Sequence, residues 1–175
     1  SYNSARTKEA VKILNDLGTP CLIHQPSYNL FNRWVEEDKL LNTLDNLGVG
    51  SIAFTPLAQG MLTNKYLSKI PNESRATQGK SLDKNKITPH LIQALNELNT
   101  IAANREQSLA QMAIAWVLRE GKVTTALIGA SKPEQVKDCV GAINNLNFNS
   151  SELSSIDKIA KDQDINLWAQ SSESI

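Results

Sequence analysis

Gly50-Ser-Ile-Ala-Phe-Thr-Pro-Leu-Ala-Gln-Gly60 is an apolar strand that closes on a short polar signature and opens into a loop. The same design recurs in Thr125-Ala-Leu-Ile-Gly-Ala-Ser-Lys-Pro-Glu-Gln135, and earlier in Cys21-Leu-Ile-His-Gln-Pro-Ser-Tyr-Asn-Leu30. Three strands with polar residues at their carboxyl ends, and helices between them, describe part of a βα barrel whose binding face collects those ends.

The segments between the strands carry the helical period. Val11, Ile13, Leu14 and Leu17, stopped by Gly18, predict a helix over 5–17, and a strand follows around 20–25. Leu40, Leu41, Leu44 and Leu47 repeat the pattern, with Asp38 near the start and Gly48 just past the end. After the strand Ser51–Phe54, residues 60–87 are long and polar, the composition of a surface loop, and loops of this length are functional or disordered. Thr88-Pro89 is an N-cap with proline at the first helical position, ahead of Ile92, Leu95, Leu98 and Ala102. Ser108 opens a helix striped by Leu109, Met112, Ala113, Trp116 and Val117, with Gly121 as its stop. Past the strand Ala126–Ile128, Ser131-Lys-Pro-Glu134 has the form of a capping box, opening a helix through Val136, Val140 and Ile143. A last helix over about 151–161 carries Leu153, Ile156 and Ile159. No segment has the polar–apolar alternation of a half-exposed sheet, so parallel strands covered by helices are expected.

Composition narrows the function. The chain has 175 residues, with 18 Lys+Arg against 18 Asp+Glu, so neither a nucleic acid nor a membrane surface is expected as a partner. Cys21 and Cys139 sit in apolar or helical surroundings and read as reduced thiols, which fits a cytoplasmic protein. No run approaches 18 consecutive apolar residues, and no basic-then-apolar leader precedes the first helix. A complete (β/α)8 barrel takes about 250 residues. With Ser1 in first place, the expectation is an excerpt of a longer chain.

The polar strand ends could carry chemistry, and each has a plainer reading. Gln25 offers a donor and an acceptor to a planar amide ligand, or satisfies neighbouring backbone groups. His24 has no Ser, Cys or paired carboxylate beside it to make a triad or a metal site, and reads as a core histidine. Phe54 offers a flat face for a heteroaromatic ring, worth about 0.5–1.5 kcal/mol beyond burial, or fills the core while Pro56 ends the strand. Thr55 and the amides after it could hold phosphate oxygens. Lys65 and Arg75 are either solvated cations or partners for a pyrophosphate. Gly129 and Ser131 stand directly before a helix N-terminus, where orphan N–H groups favour an anion; the plainer reading spends the Ser131 hydroxyl as the N-cap. There is no GxGxxG run and no Walker sequence, so neither a Rossmann nor a P-loop reading has support.

Together, HQPSYN at 24–29, AFTPLAQG at 53–60 with Lys65-Tyr66 and Arg75, and LIGASKPEQ at 127–135 resemble the aldo-keto reductases. The branch they resemble holds the L-glyceraldehyde 3-phosphate reductases and the β subunits of voltage-gated potassium channels. The likeness covers essentially all 175 residues. It implies an α/β chain of one domain over 1–175, a partial TIM (β/α)8 barrel. Strands 6, 7 and 8 with their helices would be present, and a C-terminal helical extension would reach Asn166-Leu167-Trp168.

Position by position, the resemblance implies NADPH as cofactor. Gln25 would hold the nicotinamide carboxamide, and Phe54 would stack on the nicotinamide ring. Thr55, Leu57, Gln59 and Gly60 would line the pyrophosphate, with Lys65 and Arg75 reaching phosphates. Gly129 and Ser131 would sit by the adenosine 2′-phosphate, and Gln135 and Asp138 by the adenine. Two departures stand at the adenine end: Cys139 replaces the usual Asn, and Asp138 a longer Glu. The family's catalytic Asp, Tyr, Lys and His come from strands 2, 3 and 4 and nearby loops, and Tyr2, Tyr28 and Tyr66 do not match that tyrosine by motif. The implied function is the NADPH-binding half of a reductase for small aldehydes or ketones, without the catalytic tetrad. The alternative is a non-catalytic nicotinamide-binding accessory subunit like the channel β subunits. The implied partners are the missing N-terminal half of the barrel and, through open strand edges, further copies in a homo-oligomer.

Overall fold

The central strand, β2 (Gly50–Phe54), is held on both sides by parallel neighbours. On one side β1 (Ile23–His24) pairs in the register Ile23↔Gly50 and His24↔Ser51. On the other, β3 (Thr125–Leu127) pairs as Ile52↔Thr125, Ala53↔Ala126 and Phe54↔Leu127. The computed structural model describes residues 2–68 and 87–160, so Arg75 and the tail with Asn166, Leu167 and Trp168 lie outside the described residues. Between and around the strands run α1 (Ser4–Asp16), α2 (Trp34–Glu37), α3 (Leu40–Leu47), α4 (Pro89–Asn104), α5 (Leu109–Leu118), α6 (Pro133–Val140) and α7 (Ser150–Ile159).

Most boundaries follow from local chemistry. Thr88, Ser108 and Asn149 cap α4, α5 and α7 with their side chains, and the last two complete capping boxes with Gln111 and Glu152. Gly48 ends α3 at a φ of 66°, which glycine adopts without strain.

Four expectations need correction. The strand expected over 20–25 contributes only Ile23 and His24 to the ladder, and beyond it the chain reaches β2 through a lone bridge between Ser27 and Phe54. The short helix α2 was not expected, because its four residues carry no apolar period. Ser131 does not cap α6: Lys132 holds that position without a side-chain bond, and Gln135 Oε1 accepts from Ser131 N at 2.8 Å. Finally, α6 ends at Val140, and Gly141–Asn144 tighten into a 3-10 turn.

The helices bury one face of the sheet. Ser51 and Ala53 of β2 are buried, while Gly50, Ile52 and Phe54 are only half-buried, as period-two alternation requires of a sheet covered on one side. Ala53 shares one core with Leu91, Leu95 and Leu98 of α4 and Leu109, Met112 and Trp116 of α5, all without solvent exposure. Beyond the outer strands the apolar surface is open. Leu22 and Ile23 on the β1 side, and Leu127, Val136, Val140 and Ile143 on the β3 side, are exposed, as are Ile13 and Leu17 of α1.

Two arginine-centred clusters fasten the helices. Arg105, almost fully buried, stacks 3.7 Å over Phe148, bonds Glu152 at 2.8 Å and donates to the Asn145 carbonyl, tying the end of α4 to α7. In the other cluster the guanidinium groups of Arg119, at 3.7 Å, and Arg33, at 4.9 Å, both approach the Trp116 ring. Glu36 of α2 accepts from the Tyr28 hydroxyl, from Arg119 at 2.6 Å and from Arg33 at 2.7 Å. Arg33 also reaches Asp157 of α7 at 2.6 Å.

Burial alone would push the Glu36 carboxyl up. The hydrogen bonds from Tyr28 and Arg119 and the charges of both arginines outweigh it and hold the carboxyl below its ordinary value. A folded-state pKa below the unfolded one contributes stability above the unfolded value, about 4.3, and loses it as pH falls through the folded value. Glu36→Gln is therefore expected to cost about 2–3 kcal/mol at neutral pH. It should also flatten the acid limb of the curve of unfolding free energy against pH, read by denaturant titration from pH 7 to 3.

Candidate functional site

Parallel pairing sets the carboxyl ends of β1, β2 and β3 side by side, the place where open α/β sheets and barrels bind ligands. Gln25 is exposed at the end of β1, Phe54 and Thr55 are half-buried at the end of β2, and Gly129 is exposed two residues past β3.

The corner after β2 is unusual backbone. Thr55, Ala58, Gln59 and Gly60 all have positive φ, of 56°, 45°, 60° and 94°. For the three residues with a Cβ, such conformations cost on the order of 1–3 kcal/mol each and persist only where surrounding contacts impose them. Here the Thr55 carbonyl accepts from Ala58 N at 2.9 Å, and the Leu57 carbonyl accepts from Gly60 N at 2.8 Å and Leu62 N at 3.2 Å. Leu57 packs half-buried against the core and anchors the turn. The Gln59 Oε1 atom is buried without a hydrogen-bond partner. An orphaned buried acceptor beside a left-handed turn fits a ligand that brings a donor, and such atoms are costly to leave unpaired. Lys65 stands exposed in the next 3-10 turn, Asn64–Tyr66.

Sequence reasoning gave no role to the polar cluster beneath this corner. Ser27, Asn29 and Asn32 are buried, with 1%, 4% and 3% exposure. Asn32 Nδ2 donates to Ser27 Oγ at 2.9 Å, Ser27 Oγ lies 3.1 Å from Thr55 Oγ1, and Thr55 Oγ1 donates to the Phe54 carbonyl at 2.7 Å. Asn29 Nδ2 donates to the Thr55 carbonyl at 3.0 Å. The available signal was a set of short polar side chains just past a strand end. It also reads as an ordinary turn.

At the β3 end, Ser131 and Gln135 meet directly, since Gln135 Oε1 also lies 3.3 Å from Ser131 Oγ. An open hollow of about 760 Å³ lies beside them, lined by Ser131, Lys132, Val136, Lys137 and Val140. Asp138 is turned to α5: both of its carboxylate oxygens accept from Ser108 Oγ at 3.1 Å, and its carbonyl accepts from Gln111 Nε2 at 3.0 Å. A Cβ on Gly129 would meet nothing within 4 Å. Cys139 is buried, and burial raises its thiol pKa.

His24 is no base in this arrangement. Burial lowers its pKa, Nε2 accepts from Tyr2 N at 3.4 Å, and Nδ1 is buried without a partner. Tyr28 is equally unsuited to donate a proton. Burial raises its pKa, and its hydroxyl is bound between Glu36 and Arg119. Among the described residues no cluster of His, Cys, Asp and Glu could hold a metal ion, and no helix is long and apolar enough to cross a membrane.

A parallel sheet with helices in its connections defines an α/β protein. The model of the Aldo/keto reductase family matches residues 1–161, and the chain belongs to that family, whose fold is of the TIM-barrel type. L-glyceraldehyde 3-phosphate reductase of Escherichia coli strain K12 is 49% identical over 99% of this chain and 51% of its own length. A probable voltage-gated potassium channel subunit beta of Oryza sativa subsp. japonica is 32% identical over 90% of the chain and 49% of its own length. A putative one of Schizosaccharomyces pombe is 36% identical over 77% and 41%. The chain thus spans about half the length of these curated relatives.

The placement of Asp138 gives a test within the chain. Asp138→Ala removes the acceptor of the Ser108 hydroxyl that caps α5, and a loss of about 1 kcal/mol in unfolding free energy is expected in calorimetry.

Proposed function

We propose that this chain is the cofactor-holding, carboxyl-terminal half of an NADPH-dependent aldo-keto reductase. It would contribute strands 6–8 to a barrel closed by an amino-terminal half. The observation that carries the reading is the left-handed corner Thr55–Gly60 at the carboxyl end of the central strand. The exposed apolar residues beyond β1 and β3 support the second part, because those are the edges where a barrel would continue.

In this reading the chain's residues bind and orient. Gln25 grips the nicotinamide carboxamide, and Phe54 supplies the face on which the ring lies. The corner residues Thr55, Leu57, Gln59 and Gly60 line the pyrophosphate, with Lys65 and Arg75 adding charge. Gly129 and Ser131, beside Lys132, take the 2′-phosphate, and Gln135 closes the adenine end. Asp138 is held by Ser108 and serves the adenine end by fixing α6. Bound there, NADPH supplies the hydride for the carbonyl carbon of a small aldehyde or ketone. The proton for the carbonyl oxygen comes from the other half of the barrel, because Tyr28 is buried in its ion-pair cluster and Tyr66 is buried as well. Cytoplasmic residence, and self-association of the isolated half through its open edges, belong to the same proposal.

The relatives described as potassium channel β subunits favour a second reading, a nicotinamide-binding accessory protein with little turnover. Saturable reduction of glyceraldehyde by the full-length protein decides for the enzyme, and tight NADPH binding without turnover decides for the accessory role.

Two outcomes are expected. Residues 1–175 alone give no saturable NADPH oxidation with glyceraldehyde or methylglyoxal, since a lost general acid is worth about 10²–10⁴-fold in rate. Changing Ser131 and Lys132 together to alanine weakens NADPH by about 1–3 kcal/mol more than NADH in a fluorescence titration. Equal losses would remove the 2′-phosphate from this end of the site.

A further inference from the structure

Six residues other than glycine have positive φ among the described residues, namely Lys39, Thr55, Ala58, Gln59, Glu106 and Glu120. Thr55 alone of these is β-branched, the side-chain type least suited to that conformation. Something must impose it, and the contacts name the agent. The Asn29 carboxamide is fixed at both ends. Its Oδ1 accepts from Phe31 N at 3.0 Å, which leaves Nδ2 to donate to the Thr55 carbonyl at 3.0 Å. A carboxamide can do both because it carries an acceptor and a donor, and the Phe31 N–H decides which way round it sits. The turn that carries Asn29 is itself closed by paired backbone bonds with Asn32, at 3.2 and 3.1 Å. Asn32 anchors the other side, through Ser27 to the Thr55 hydroxyl. Thr55 is therefore gripped at its hydroxyl from Ser27 and at its carbonyl from Asn29, beside the turn's own bond from Ala58 N at 2.9 Å.

We infer that Asn29 is a positioning residue for the nicotinamide end of the site: its carboxamide locks Thr55 in the left-handed conformation that sets the corner from Phe54 to Leu57. It touches neither cofactor nor substrate. Its effect on binding rests on the NADPH reading above, whereas the lock itself does not.

The test uses the full-length protein and Asn29→Asp, nearly identical in shape. In mildly alkaline buffer the aspartate is ionised: it keeps an acceptor for Phe31 N–H but has no donor and turns a second oxygen toward the Thr55 carbonyl, so the lock is replaced by a repulsion. Asn29→Ser, which retains a short acceptor for Phe31, replaces it if the aspartate variant does not fold. Backbone amide exchange across residues 55–60 should rise roughly tenfold, and NADPH should bind roughly tenfold more weakly, as expected for a lost hydrogen bond. Adenosine 2′-monophosphate, which lacks both the nicotinamide end and the pyrophosphate, should bind as it does to the wild type; a general loss of structure would weaken both ligands.

In a Thr55→Gly background the left-handed conformation needs no support. The further effect of Asn29→Asp on exchange and on NADPH should there shrink to less than roughly threefold, a coupling that marks two residues acting as one unit. Unchanged exchange in Asn29→Asp, or equal effects in the two backgrounds, overturns the lock. Faster exchange with unchanged NADPH affinity overturns the positioning role. A wild-type protein that does not bind NADPH overturns the cofactor reading, and the exchange measurements then still decide the lock.

Discussion

The parallel pairing of β2 on both of its edges is the constraint on which the molecule depends. A parallel neighbour on each side obliges the chain to return across the sheet by long connections, and these are the segments that become α3, α4 and α5. The same pairing leaves little room at the start of the strand. A Cβ on Gly50 would stand 3.2 Å from Thr124 Oγ1 and 3.4 Å from the Leu22 carbonyl, so the strand enters between its neighbours on a residue without a side chain. Buried Ser51 is tolerated because its hydroxyl donates to the Lys122 carbonyl. The candidate site lies at the opposite end.

How far the fold was legible depends on how local its causes are. The caps Thr88, Ser108 and Asn149 act within three residues of themselves, and the helices behind them appear where the sequence places them. Ser131 fails as a cap because a glutamine four residues on takes its amide first, and nothing in the capping-box pattern ranks those two bonds. The helix α2 has no apolar period to announce it. Its carboxylate is held by Arg119, 83 residues away, and no local reading contains that partner. Past His24 the hydrogen bonding to β2 continues only through Pro26 O and Tyr28 N, both to Phe54, so the ladder of β1 stops short of the expected strand end.

The site divides in the same way. Residues at strand ends, such as Gln25, Phe54, Thr55 and Gly129, were legible because their position follows from alternation of strand and helix. Asn29 and Asn32 were not, since an asparagine in a turn looks the same whether its amide faces water or a strained carbonyl 26 residues away. Asp138 was legible as an acid on α6, but its engagement with Ser108 depends on how two helices pack.

The salt bridge from Arg33 to Asp157 has a consequence for the order in which contacts can form. It spans 124 residues of chain, against 47 for the bond between Arg105 and Glu152 that secures the same terminal helix. By loop-closure entropy alone, the longer span costs about 0.9 kcal/mol more to close. The shorter one sets α7 on α4 at lower cost and brings Asp157 near. Arg33 then completes a ring whose circumference has already been drawn in, so the cluster at Trp116 inherits its closure from the far side of the molecule.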